Sequence, residues 1–172
     1  MTPAVGCRAP IASGKAKLTI RDSALAKKDF LKWNWVKGST TSVADFGNPT
    51  TTDGYSLCIY DAGTRVSSTT LPAGELCAGK PCWKTRKTGF VYRDKLLTPD
   101  GALTATLKAG SAGKATIVVT AKGANLETPN PAAFTGPIQV QLQRADRAVC
   151  FEATYGAPFK KNKKGSFFDL AD

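Results

Sequence analysis

Apolar side chains recur at every second residue in short runs, and Gly, Pro, Asn or Asp interrupts each run within a few positions. Leu18 and Ile20 alternate in this way over 17–21, and Leu31, Trp33 and Trp35 over 31–36. Tyr55, Leu57 and Ile59 share one side of a run whose other side carries Cys58 and Tyr60. The pattern returns with Phe90 and Tyr92, with Ile138, Val140 and Leu142, and with Val149, Phe151, Ala153 and Tyr155. Runs 103–108 and 115–120, joined by Gly-containing residues 109–114, read as a hairpin. A chain patterned with period two must pair its strands and bury one face of each. The expected fold is all-β: a disulfide-containing, antiparallel two-sheet β-sandwich of about eight or more short strands.

At 172 residues the chain is expected to form one domain over 1–172, on a prior of roughly 150 residues per domain. Helix is confined to a turn or two within 22–30, capped by Asp22 or Ser23. Segments 38–54, 66–81 and 122–137 are rich in Thr, Ser, Gly and Pro and read as long loops, the natural places for a binding surface. The tail 159–172 is basic and then aromatic, expected as a mobile end or an edge strand. No stretch approaches the roughly 18 uncharged apolar residues of a spanning helix, so the chain is not expected to cross a bilayer. Met1 to Cys7 lacks a basic region followed by an apolar one and is not expected to act as a secretion signal.

The sequence contains no histidine, which excludes Ser-His and Cys-His nucleophile systems, His-ligated metals and a His general base. No cofactor is expected. Cys77 and Cys82 could form half of a zinc site, but no second half of comparable spacing exists, so a local disulfide is expected instead. Cys58 and Cys150 both lie in strand-like runs, and a bridge between them would tie an early strand to a late one. Cys7 would then stay free or pair outside the chain; alternatively it takes Cys150. Bridges of this kind belong to an oxidising compartment, so an extracellular or cell-surface location is expected.

The 24 lysines and arginines outnumber 13 acids, for a net charge of +11. A polyanion or an anionic cell surface is therefore an expected partner, with the run Lys160, Lys161, Lys163 and Lys164 as its candidate contact. Neither a helix-turn-helix, a zinc finger nor an RRM-like motif is present, so specific nucleic-acid recognition is not expected. Trp33 and Trp35 share a strand face and could offer an indole platform to sugar rings, with Trp83, Tyr60 and Tyr92 as further ligand-binding candidates. The same alternation is also that of a core face. Segment 110–116 has a Gly-Lys pair, but Lys108 holds the first Gly position of a phosphate loop and a strand follows, so it reads as a turn. Asp45, Asp61, Glu75, Asp94, Asp100 and Glu152 are the acids from which a histidine-free glycoside hydrolase would draw its pair. For Glu152 a cross-strand ion pair is the simpler expectation. Asp53, Asp61, Asp94 and Asp100 could supply oxygens to calcium, although no twelve-residue calcium loop occurs.

The ordered landmarks at 31–38 (LKWNWVKG), 45–49 (DFGNP), 57–61 (LCIYD), 79–83 (GKPCW), 89–95 (GFVYRDK), 99–101 (PDG) and 150–153 (CFEA) resemble a group of exported β-rich proteins and C-terminal modules of environmental bacteria. The resemblance spans about 7–155 and implies an extracellular β domain, with no activity attached. Phe151 departs from it, standing where Trp would be expected, which assigns this position to packing. Three functions follow as expectations: a non-catalytic extracellular module binding polysaccharide, polyanion or a surface; a subunit of an extracellular assembly, self-associating when segment 2–20 or the tail pairs with a neighbour's sheet edge; and a carboxylate-dependent hydrolase.

Overall fold

The computed structural model describes residues 2–172. In chain order its strands are β1 (Ala16–Arg21), β2 (Phe30–Gly38), β3 (Tyr55–Asp61), β4 (Thr64–Leu71), β5 (Leu76–Cys77), β6 (Lys80–Pro81) and β7 (Trp83–Arg86). Then follow β8 (Gly89–Arg93), β9 (Ala102–Lys108), β10 (Ala115–Lys122), β11 (Ile138–Arg144), β12 (Cys150–Tyr155), β13 (Lys161–Lys163) and β14 (Ser166–Leu170). An eight-stranded sheet runs β13-β14-β1-β2-β10-β9-β8-β7, a four-stranded sheet runs β12-β11-β3-β4, and β5 with β6 forms a small hairpin. Neighbouring strands pair antiparallel throughout. Among the described residues no helix is long and apolar enough to cross a membrane.

The period-two apolar sets become the inner faces. Leu18, Ile20, Leu31, Trp33, Trp35, Ile117 and Val119 of the larger sheet join Leu57, Ile59, Val140, Leu142, Phe151 and Tyr155 of the smaller one in a single buried cluster. Polar links register the two sheets: Trp33 Nε1 donates to Tyr155 OH at 3.0 Å, and Trp35 Nε1 donates to the Glu152 carbonyl at 3.0 Å. Phe151 packs on the Trp35 ring edge, centroids 5.5 Å apart, and on Phe46. A larger indole at 151 would have to displace these two rings.

Two expectations change, and of the two given for the tail only the strand is left. Residues 66–71, read as part of a loop, belong to β4: Ser67, Thr69 and Leu71 all point inward and are buried. Hydroxyls hid the apolar alternation there, and Ser67 Oγ is accommodated by donating to the Glu127 carbonyl at 2.7 Å. The expected helix is a single 3-10 turn, Ala26–Lys28. The tail is not a loose end: β14 lies beside β1 inside the sheet, and β13 forms its edge.

The expected Cys58–Cys150 bridge is corrected. The disulfides are Cys7–Cys150 and Cys77–Cys82, and Cys58 is a buried free thiol. Strand β11 lies between the strands carrying Cys58 and Cys150, which puts them roughly 10 Å apart at the usual strand spacing. A disulfide closes only when the Cα atoms are within about 7 Å. Cys7 reaches Cys150 because the N-terminal segment joins the free edge of β12: Arg8 N–H donates to the Cys150 carbonyl and Glu152 N–H to the Arg8 carbonyl. A few residues on, Ile11 N–H donates to the Lys37 carbonyl of the larger sheet, so this segment clasps both sheets. The two segments expected to pair with a neighbour are thus both paired within the chain.

Candidate functional site

The sugar platform is not formed. Trp33 and Trp35 are 0 % exposed and Trp83 2 %, with the Trp83 indole N–H given to the Pro72 carbonyl. Tyr60 and Tyr92 are likewise buried, at 0 % and 2 %. Four of these five candidates face the core between the sheets, where an alternating run places its largest side chains, and Tyr92 packs obliquely on Trp83. Tyr60 lies on the other side of β3, where its hydroxyl accepts from Gln143 Nε2 at 3.0 Å. All five are packing residues.

Burial also shows in acid-base behaviour. Loss of solvation pushes the Tyr92 phenol up to about 12, with Asp94 adding to the effect, and raises Tyr55, Tyr60 and Tyr155 as well. A raised phenol stabilises the fold fully below its unfolded pKa of about 10, and that stability is lost as pH climbs toward the folded value. In an alkaline absorbance titration the native protein is therefore expected to show no tyrosinate step near pH 10, the signal emerging only with unfolding. A native step near pH 10 would mean an exposed phenol.

The acids are distributed over separate structural tasks. Asp45 binds Arg8 at 2.7 Å, which holds its carboxyl well below the usual range. Asp53 accepts from Asn48 N–H, and Asp61 from the backbone of Thr135 and Gly136. Asp94 accepts from Leu96 and Thr98, and Asp100 from Thr70. Glu152 accepts from the amides of Gln139 and Gln141, at 2.8 and 2.9 Å, in place of the expected ion pair. Among the described residues no three Asp, Glu or Cys side chains group so as to hold a metal.

What the topology does assemble is charge. Residues directly opposite across antiparallel strands point to the same side, so the register identifies the face of the larger sheet turned away from the core. On it β13 places Lys161 and Lys163, β1 places Lys17 and Arg21, and β2 places Lys32. Strand β10 adds Lys122, β9 Lys108, β8 Arg93, and β7 Lys84 and Arg86. Ten of the 24 cations thus share one face, leaving the rest of the chain nearly neutral. The one acid in these eight strands, Asp169, stands opposite Leu18 on the inward side and is buried. Among the described residues none of the ten cations has a carboxylate within ion-pair distance.

Neutral residues separate the charges. Every cation on this face stands directly opposite an uncharged residue: Lys17 opposite Asn34, Lys32 between Thr19 and Thr120, Arg21 and Lys122 on either side of Phe30. Directly opposed like charges would destabilise the sheet, and this spacing avoids them. Neighbouring cations still lie within about one Debye length, so their potentials add. The Arg21 guanidinium lies 5.7 Å from the Phe30 ring centroid. Eight strands at the usual spacing make the face roughly 34 Å broad, the dimension of a polymer segment rather than a single sugar.

Of the lysine run, Lys161 and Lys163 point onto this face, while Lys160 and Lys164 flank β13 and are exposed. The other eight cations are spread over six strands, and composition alone does not single them out. Their signal is the polar phase of each alternating run. No family model matches this chain, and no curated protein or solved structure matches it.

Proposed function

We propose that the chain is a non-catalytic module of an oxidising, extracellular setting that binds acidic polysaccharide through the outward face of its larger sheet. The observation that carries this is the segregation of ten cations and no acid on one face. An isolated surface ion pair contributes little, but many contacts to one polymer release many counterions together. Two disulfides accord with export, as does the exported group that the sequence resembles. The binding expected at Lys160, Lys161, Lys163 and Lys164 becomes one edge of a wider surface.

Affinity for an acidic polymer should fall steeply with salt. Reversing Lys17, Lys32 and Lys122 to glutamate should weaken binding to dextran sulfate by at least about tenfold. It should also reduce the slope of log affinity against log salt by about one for each cation removed. Titrations over a salt series provide the measurement. Unchanged affinity in the triple variant, or salt-independent binding to neutral dextran, would overturn the proposal.

A further inference from the structure

We infer that the β7 and β8 end of this face contains a discrete seat for a tetrahedral oxyanion ester, a sulfate or phosphate group carried by the polymer; this rests on the polyanion-binding proposal above. Two adjoining depressions of about 330 and 300 Å³ lie there, and Lys84 and Arg93 line both. Lys80 and Lys95 complete the first depression. Its four cations come from three chain segments: Lys80 from the β5–β6 hairpin closed by Cys77–Cys82, Lys84 from β7, and Arg93 with Lys95 from the end of β8 and just beyond it.

Neither nearby acid enters this depression. Asp94, between Arg93 and Lys95, is 0 % exposed and accepts from the Leu96 and Thr98 backbone. Glu75 lines a separate depression beside the disulfide, with Pro72 and Thr98. Four mutually repelling cations gain most from a group of high charge density. A carboxylate has two oxygens in one plane, enough for the guanidinium fork, whereas a sulfate or phosphate ester has three arranged as a tripod that also meets lysines approaching from other sides. In the second depression Val91, Thr104 and Thr106 provide apolar and hydroxyl contacts for the adjoining sugar.

The test uses the full oxidised chain with dextran sulfate, dextran phosphate and polygalacturonate matched in charge density. Wild type should prefer the two esters over the polyuronate by about tenfold, the scale of one charge-assisted bidentate contact. A Lys80→Ala/Lys95→Ala variant, both residues being exposed, should lose that preference, while weakening polyuronate binding no more than Lys17→Ala/Lys32→Ala does. A Lys17→Ala/Lys32→Ala variant should weaken all three polymers alike and keep the preference. If wild type shows no preference, or the Lys80/Lys95 variant retains it, the seat is overturned while the wider face stands. If the Lys17/Lys32 variant binds as tightly as wild type, the wider face is overturned. The pH dependence separates the two esters: phosphate binding should strengthen as pH rises through about 6, where the second ionisation of a phosphate monoester lies, and sulfate binding should stay level.

Discussion

Replacing Trp35 with alanine should lower unfolding stability by about 3–5 kcal/mol, the range for a fully buried large aromatic. The indole is 0 % exposed, donates to the Glu152 carbonyl, and packs edge-on against Phe151. It also occupies the space where a side chain on Gly38 would sit, which is why this end of β2 needs a glycine. Truncation leaves a cavity between the sheets and an unpaired carbonyl, and neither is easily filled by relaxation. In a chain of this size the melting temperature should fall by roughly 10 °C. Lys17→Ala, on the outward face, should stay within about 0.5 kcal/mol of wild type. Chemical denaturation of both variants makes the comparison. A Trp35→Ala protein within about 1 kcal/mol of wild type would show that the indole is not a core element.

Substituting Cys7 with serine should cost about 2–5 kcal/mol, because the Cys7–Cys150 bridge spans 143 residues and removes much of the unfolded chain's freedom. The effect on the native state is local to one seam. Arg8 and Ala4 would be held to β12 and to the Gln141 side chain by hydrogen bonds alone. Cys58→Ala, by contrast, should leave both disulfides in place and cost less, since it removes only a small buried thiol beside Ser68. Denaturation curves, read with thiol counts after unfolding, separate the two: one free thiol per wild-type chain, none in Cys58→Ala and two in Cys7→Ser. If Cys58→Ala were the variant that freed a second thiol, Cys58 and not Cys7 would be the partner of Cys150.

How much of the fold is legible in the sequence differs between elements. The runs at 17–21, 31–36, 55–60 and 138–143 place large apolar residues at every second position, and no neighbour could turn them into helices. The β9–β10 hairpin is equally local, since its strands are adjacent in sequence and joined by a short Gly-rich connection. Residues 66–71 escape because Ser67 and Thr69 look polar on their own, and Ser67 is tolerated inside through a partner remote in sequence, Glu127. The tryptophans have two readings until the second sheet is in place. Facing solvent, Trp33 and Trp35 would be a platform; with Tyr155 and Phe151 above them, they are core.

The cysteines and the cations turn on a different quantity, strand order. Alternation assigns each residue to a side of its own strand but carries no information on which strand lies next to which, because hydrogen bonding between strands is made by the backbone and is blind to sequence distance. Only once β11 separates β3 from β12 is Cys58 out of reach of Cys150. Only once β14 lies beside β1, and β2 beside β10, do Lys163, Arg21, Lys32 and Lys122 become parts of one surface. The all-β class, the absence of histidine chemistry and the sign of the charge were properties of the chain itself, being composition and local period. The location of that charge was decided by tertiary structure, since long-range pairing gathered lysines and arginines spread from 17 to 163 onto a single face.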